Sequence, residues 1–163
     1  MRIGYDAKRI FHNASGLGNY SRDLVRILAS RYLEDSFHLY NPKNAKRNLW
    51  KALPNTTTHK PKGIWKWLHS IWRQGPISHQ LKKDKIDVYH GLSGELPNGL
   101  NIPSVVTVHD LIFYRYPELY NLIDVLIHKR KIRHAVKKAT KIVAISEQTK
   151  ADLVEYTGIP ASK

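Results

Sequence analysis

Three short runs of β-branched and apolar residues constrain this fold most, because each ends abruptly at a polar side chain. The clearest run leads from Pro103 through Ser-Val-Val-Thr-Val to His109 and Asp110. Two runs of the same form end at His90 and Ser146. Val, Ile and Thr pack well on a pleated surface, and strands that are apolar on both faces are typical of a parallel sheet covered by helices. We therefore predict an α/β fold with a parallel sheet and helices on both faces.

The polar residues that end these runs are candidates for one shared site. In an open parallel sheet, ligands bind in the crevice beyond the carboxyl ends of the strands. His90, His109, Asp110 and Ser146 are therefore expected along the same edge. Each also has a structural interpretation: the histidines as packed side chains, Asp110 as a turn cap, and Ser146 as the N-cap of the helix that follows it.

The first strand, loop and helix form a second candidate site. Arg2–Ala7 is typical of a strand, and apolar residues at helical spacing predict a helix from Leu17 to Tyr32. The loop before it contains Gly16 and Gly18, which together with Leu17 would place backbone amides at a helix start, where an anion is stabilised. The third glycine of a dinucleotide-binding fingerprint is absent, so ordinary turn chemistry remains an alternative interpretation.

The other elements follow from periodicity and turn signals. Residues 43–62 are polar and basic, and their prolines predict an irregular insertion or loop. Residues 111–118 are predicted to be an aromatic-rich loop in which Pro117 opens a helical turn. The remaining predictions are strands at 36–40, 86–91, 103–109 and 141–146, and helices at 77–83, 122–139 and 147–157.

A Trp-rich segment at residues 63–73 contains three of the four tryptophans of the chain. On a helix, its apolar side chains would share one face and its basic side chains would lie elsewhere. Such a helix either packs on the sheet, which we favour, or lies in a membrane interface. The residues that would contact a membrane are Trp65, Lys66, Trp67, Trp72 and Arg73.

The formal charge of +14 implies attraction to an anionic partner such as nucleic acid, a lipid surface or a phosphorylated ligand. From Lys43 to Lys85 there are 11 Lys and Arg against the single acid Asp84. A hydrophobic content of 42% argues for a globular fold, and the absence of cysteine excludes disulfides and thiolate metal sites. The chain lacks an N-terminal signal pattern and an apolar stretch long enough to span a membrane. We expect a cytoplasmic protein that is soluble or peripheral to the membrane.

Four stretches together resemble the N-terminal domain of a retaining GT-B glycosyltransferase of the family 4 type. Their order and spacing cover nearly the whole chain. They are Ile3-Gly4-Tyr5-Asp6-Ala7 with Gly16-Leu17-Gly18-Asn19-Tyr20, Asp87-Val88-Tyr89-His90-Gly91, Val106-Thr107-Val108-His109-Asp110-Leu111 with Pro117-Glu118, and Val143-Ala144-Ile145-Ser146-Glu147 with Thr149-Lys150-Asp152-Leu153.

The resemblance implies the N-terminal half of a two-domain enzyme, in which two Rossmann-like domains face each other across a cleft. It implies that the Gly16–Gly18 loop approaches the diphosphate of a nucleotide-sugar donor and that His109 reaches the transferred sugar. It also implies that no metal or other cofactor is needed. Asn19 departs from the Arg or Lys that many relatives carry after the second glycine. The candidate cleft and acceptor residues are His90, Asp110, Tyr114, Arg115 and Ser146.

The function expected from the resemblance is sugar transfer with retention to a saccharide or lipid-linked acceptor, as in the synthesis of polysaccharides and cell-envelope glycans. Residues 1–163 are expected to form one acceptor-side domain, with the donor-binding domain missing and the isolated chain therefore inactive. Two other classes stay open. A basic module that binds nucleic acid or an anionic membrane would suit the charge. A nucleotide-dependent oxidoreductase is disfavoured by the broken glycine pattern and by Tyr40-Asn41 at the end of the second strand.

Overall fold

The computed structural model describes residues 1–163 and contains six strands whose neighbours all pair in parallel. The strands are β1 Arg2–Asp6, β2 Ser36–Tyr40, β3 Thr56–His59, β4 Val88–Gly91, β5 Ser104–Val108 and β6 Lys141–Ala144. The helices are α1 Lys8–His12, α2 Gly16–Arg31, α3 His69–Trp72, α4 Ile77–Lys83, α5 Ile112–Arg115, α6 Leu122–Lys138 and α7 Glu147–Thr157, with 3₁₀ turns at Gly63–Lys66 and Pro117–Leu119.

The strand order β3-β2-β1-β4-β5-β6 creates a point where the direction of winding reverses. The chain builds outward from β1 through β2 and β3, and then returns to place β4 on the other side of β1. Tyr5 in β1 therefore lies between Leu39 of β2 and His90 of β4. Such a reversal opens a crevice beyond the carboxyl ends of the two central strands. The residues that follow β1 and β4 are thus placed to line a site.

Apolar side chains from alternating strand positions form two separate cores, one on each face of the sheet. The smaller core combines Phe37 and Leu39 of β2 with Ile10 of α1 and Val25 of α2. The larger core contains side chains of β4 and β5 together with side chains of α3, α4, α6 and α7. The predicted α/β Rossmann-like fold, with a parallel sheet and helices on both faces, is confirmed.

The long helix α2 shows how the sequence produces this packing. Its buried residues are Gly18, Ser21, Val25 and Ala29, whose spacing of three or four residues defines one narrow face. All four side chains are small, so the helix axis can approach the sheet closely. The predicted helix from Leu17 to Tyr32 is confirmed to within one residue at each end.

Four local predictions are wrong. Residues 43–62 are not entirely irregular, because Thr56–His59 pairs with β2 as an edge strand. Residues 8–12 and 112–115, predicted to be loops, form the short helices α1 and α5. The run that ends at Ser146 is an edge strand with Val143 partly exposed, and not a buried central strand.

The Trp-rich segment is not one continuous helix. A 3₁₀ turn at Gly63–Lys66 is followed by the one-turn helix α3. The apolar and basic side chains of the segment therefore do not lie on two opposite faces of one helix. Trp72 is 3% exposed and belongs to the larger core, and Trp65 packs against that core. Trp67 is 86% exposed. The interpretation as a packed segment is therefore correct for Trp65 and Trp72, whereas Trp67 projects into solvent.

Candidate active site

A crevice at the carboxyl edge of the sheet joins the start of α2 to the end of β5. It encloses about 160 Å³, and Arg9, Leu17, His109, Asp110 and Lys131 are among the residues that line it. The sequence placed His109 and Asp110 in one candidate site and Leu17 in a second, and the structure brings these three residues together. Arg9 and Lys131 were not predicted, because neither lies at the end of a predicted strand or at the predicted start of the first long helix.

His109 is held at the edge of this crevice in a defined orientation. Its Nε2 lies 2.9 Å from the carbonyl oxygen of Leu92, which can only accept a hydrogen bond, so Nε2 carries the proton. Tyr20 of α2 packs edge-on against the imidazole at 5.0 Å, and Thr149 donates a hydrogen bond to the backbone carbonyl of His109. In the neutral ring, Nδ1 is therefore left as an acceptor for a ligand hydroxyl.

Asn13 organises the loop that precedes α2. Its Oδ1 accepts hydrogen bonds from the backbone N–H and the hydroxyl of Ser15 and from the N–H of Gly18. A Cβ at Gly18 would lie 1.8 Å from the carbonyl oxygen of Asn13, so no other residue fits here without moving the backbone. The first amides of the helix, at Gly16 and Leu17, have no carbonyl one turn earlier within α2 to bond. The loop thus presents free donors beside the crevice.

Two arginines add positive charge around this loop. Arg22 donates to the carbonyl oxygens of Ile10 and Asn13 and to the side chain of Asn19, so it braces α1 and the loop against α2. Arg9 lines the crevice itself, and its buried Nε has no hydrogen-bond partner. An arginine whose side chain lines a crevice and pairs with no carboxylate is suited to an anionic ligand.

A larger cavity of about 390 Å³ lies beside this crevice and shares Glu95 and Lys131 with it. We call it the Arg73 cavity, and its charged lining residues are Asp6, Arg73, Glu95, Arg130 and Lys131. Arg73 bonds the carboxylates of Asp6 at 2.5 Å and Glu95 at 3.2 Å, and Lys131 bonds the other oxygen of Glu95 at 3.1 Å. The cavity is therefore built on a buried network of alternating charges.

Electrostatics stabilise this network in its ionised form. Burial pushes the pKa of Asp6 upward, but the Arg73 guanidinium and the N–H of Lys8 outweigh that effect and hold the pKa below its usual range. For Arg73, burial alone would lower the pKa, and the charges of Asp6 and Glu95 raise it instead. The predicted membrane contact of Arg73 is wrong, because its side chain is 11% exposed and faces these carboxylates.

His90 lies behind the crevice and does not line it. Its Nε2 is 2.8 Å from the hydroxyl of Thr107, and that hydroxyl also lies 3.3 Å from the phenol oxygen of Tyr20. Burial lowers the pKa of His90 to about 4, because the positive form would be poorly solvated. His90 is thus a neutral, packed histidine that supports Tyr20, which in turn contacts His109.

Three other predicted site residues do not reach the crevice. Ser146 accepts a hydrogen bond from the N–H of Thr149 and acts as the N-cap of α7, beside a different pocket at the β6 edge. Tyr114 stacks on Tyr156 of α7 with ring centroids 5.2 Å apart. Arg115 forms an ion pair with Asp152 at 3.0 Å. Ser146 follows the edge strand β6, and Tyr114 and Arg115 of α5 are occupied by contacts with α7.

Asp110 lies at the mouth of the crevice and is exposed. Its Oδ1 accepts a hydrogen bond from the N–H of Ile112 at 3.3 Å, so it also caps the turn into α5. The geometry is compatible with both interpretations of Asp110, as a residue that lines the site and as a turn cap. No group of three or more His, Asp or Glu side chains in the chain is arranged to hold a metal ion.

The fold and the crevice together define a class of protein. A Rossmann-like domain presents a helix start, the guanidinium of Arg9 and an oriented histidine at the carboxyl edge of its parallel sheet, where ligands bind in open sheets of this kind. The family model of Glycosyltransferase Family 4 matches residues 14–163. The chain therefore belongs to that family, and the resemblance seen in the sequence is confirmed. A search of individual curated proteins finds no match.

Proposed function

We propose that this glycosyltransferase domain forms the acceptor side of an enzyme that transfers a hexose from a nucleotide-sugar with retention of configuration. The observation that carries the proposal is the convergence of three groups in one crevice: the free amides at the start of α2, the unpaired guanidinium nitrogen of Arg9, and the Nδ1 side of His109. Each has a distinct chemical use in such a reaction.

The start of α2 and Arg9 would stabilise the departing diphosphate. Negative charge develops on the leaving group as the glycosidic bond breaks, and preorganised N–H donors at a helix start favour that charge. The loop cannot easily relax, because Asn13 and Arg22 hold it on two sides. We propose that these groups suffice without a metal ion.

His109 would position the sugar. With its proton on Nε2 bound to the carbonyl of Leu92, Nδ1 can accept a hydrogen bond from a hydroxyl of the transferred hexose. The nucleotide would be held by a second, donor-binding domain that faces this crevice. We propose that residues 1–163 act together with such a domain and do not catalyse transfer alone.

The test is a transfer assay on the complete reading frame that contains residues 1–163, with a panel of labelled nucleotide-sugars and saccharide or lipid-linked acceptors. His109→Asn should lower kcat by about a hundredfold or more, since a lost transition-state contact of this kind costs at least that factor. His79→Asn is the matched control, because His79 is exposed on α4. Wild-type rates in His109→Asn, or no transfer with any sugar, would refute the proposal.

We also propose that the enzyme works at the anionic inner leaflet of the cytoplasmic membrane, as expected for a lipid-linked acceptor in polysaccharide synthesis. None of the helices has the length and apolarity to cross a bilayer. The support is an exposed patch of Ile64, Trp67, Leu68 and Ile71 beside Lys66. Aromatic side chains at the interface and basic side chains worth about 1 kcal/mol each would favour such contact.

Vesicle flotation tests this docking. Trp67→Ser should weaken binding to vesicles that contain anionic lipid, and Ile27→Ser should not, because Ile27 is an exposed apolar residue on α2 outside the patch. Equal binding of both variants would contradict the docking. Stronger binding to DNA or RNA than to vesicles at matched salt would favour the nucleic-acid alternative instead.

A further inference from the structure

The Arg73 cavity contains basic side chains and polar nitrogens that have no partner in the structure. Asp6 is engaged by Arg73 and by the N–H of Lys8, and each oxygen of Glu95 has its own cationic partner. The Nε of Arg73 is buried and has no partner. Arg130, on the rim, pairs with no carboxylate in the structure. Each carboxylate oxygen of the cavity therefore has a partner, whereas some of its donors do not.

Helix α6 supplies most of the unused donors. Ile127, Arg130, Lys131 and His134 all line the cavity, and their spacing of three and four residues places them on one face of the helix. The Nε2 of His134 is buried and has no hydrogen-bond partner. Two basic side chains and a histidine with an unpaired buried nitrogen therefore line the same space.

The opposite wall adds a neutral donor and limits the kind of ligand. Tyr89 of β4 lines the cavity, and burial raises the pKa of its phenol well above the usual value, so the hydroxyl stays protonated. Around the space lie three permanent cations, Arg73, Arg130 and Lys131, against two carboxylates that are already paired. A cation would find no free carboxylate here, whereas an anion would meet unpaired donors.

The position of the cavity relates it to the crevice. Glu95 and Lys131 line both spaces, so a ligand in the cavity would extend toward His109. A Cβ at Gly91 would lie 2.1 Å from the carbonyl oxygen of Glu95, which shows how tightly the loop after β4 folds to place Glu95 between the two spaces. The volume of about 390 Å³ is in the range of small-molecule sites.

We propose that the Arg73 cavity binds an anionic group, a phosphate or a carboxylate, that is carried by the sugar acceptor. Arg130 is the accessible donor to this group, the unpaired nitrogens of His134 and Arg73 lie in the wall behind it, and Lys131 supplies charge at the junction with the crevice. The identification of the ligand as the acceptor rests on the proposed function. The anion site itself rests only on the unpaired donors and the cavity.

Calorimetric titration of the chain tests the site with probes of defined chemistry. A hexose 1-phosphate, a hexuronic acid and a neutral hexose are compared at about 0.15 M salt, where long-range attraction to a chain of charge +14 is screened. We expect saturable binding of one or both anionic probes and none of the neutral hexose. The two anionic arms separate a phosphorylated acceptor from one that contains uronic acid.

Two variants on α6 distinguish a built site from general attraction. Arg130→Gln should weaken binding of the preferred probe about tenfold or more, the loss expected for one charge-assisted hydrogen bond. Arg133→Gln removes the same charge from the same helix, but its guanidinium lies over the ring of Tyr114 at 6.0 Å, outside the cavity, and binding should be unchanged. The imidazole signals of His134 should shift on titration of the wild-type chain.

Equal weakening in both variants, or no saturable binding of either anionic probe, overturns the proposal. The titrations contain no sugar donor, so their outcome is independent of catalysis. Anion binding without sugar transfer in the complete enzyme would refute the proposed function and leave the site standing. Transfer to a neutral acceptor, with a KM that Arg130→Gln does not change, would refute the link between the cavity and the acceptor.

Discussion

Replacement of Arg73 by methionine tests whether the buried charge network has the energetics that its geometry implies. The side chains of Arg73 and Asp6 are 11% and 6% exposed. Arg73→Met keeps most of the apolar volume but leaves the Asp6 carboxylate with only the N–H and the charge of Lys8. Removal of one partner of a buried pair costs about 3–5 kcal/mol of unfolding free energy.

The effect should depend on pH in a defined direction. In the wild type the pKa of Asp6 is held down, so this carboxylate stabilises the fold above its unfolded pKa, and that contribution is lost as pH falls through the folded pKa. Without Arg73, burial dominates and the pKa of Asp6 rises above its unfolded value. The carboxylate of Asp6 then takes up a proton on mild acidification. The difference in unfolding free energy between the variant and the wild type therefore shrinks, by about 1.4 kcal/mol for each unit by which the pKa has risen.

Urea unfolding, followed by tryptophan fluorescence at about pH 7 and about pH 5, measures both quantities. The matched control is Arg26→Met, which breaks an exposed pair with Asp23 on α2 and should cost about 0.3–0.5 kcal/mol at either pH. The reasoning would be contradicted if Arg73→Met lost no more unfolding free energy than Arg26→Met, or if its loss did not decrease on acidification.

Three further predictions concern single residues. Gly18→Ala should destabilise the chain by about 1–3 kcal/mol in urea unfolding, because the new methyl group overlaps the carbonyl of Asn13, and a loss no larger than for an ordinary helix position would count against that geometry. Ser146→Ala should cost about 1 kcal/mol, since it removes the cap that accepts from Thr149, and an unchanged unfolding midpoint would argue against the cap. The imidazole of His90 should remain neutral in NMR titration down to about pH 5, because burial lowers its pKa to about 4. The stability that the neutral imidazole contributes should therefore be lost as the pH drops from its unfolded pKa to about 4. An NMR titration midpoint near pH 6.5 would refute the burial of His90.

The candidate site could be predicted only where a local pattern carries the information. The glycines at the start of α2 and the histidine that follows β5 were identified because strand ends and helix starts are visible in sequence periodicity. Arg9 and Arg73 were not assigned to the site. Arg9 lies in the short helix α1, and Arg73 directly follows the short helix α3. The formation of such short helices depends on neighbours distant in the chain, and a basic residue in a basic segment carries no local sign of its partner.

Ser146 and Arg115 show the converse limit. Ser146 stands at a strand end and Arg115 stands in an aromatic-rich loop, and these sequence contexts were used to predict the site. Strand order then places them far from β1, because β6 lies at the edge of the sheet and α7 offers Arg115 a carboxylate in Asp152. Periodicity shows that a strand ends, but it does not show which strands are neighbours.

By itself, the sequence determined the class of the fold, the helices with clear apolar spacing and the family, since these depend on the order of local patterns along the chain. The tertiary structure decided which charged residues face each other. It buried Arg73 between Asp6 and Glu95, kept Trp67 exposed while Trp72 entered the core, and aligned one face of α6 with a cavity. The physical reason is that burial and ion pairing depend on contacts between residues far apart in sequence, which are set only when the helices pack on the sheet.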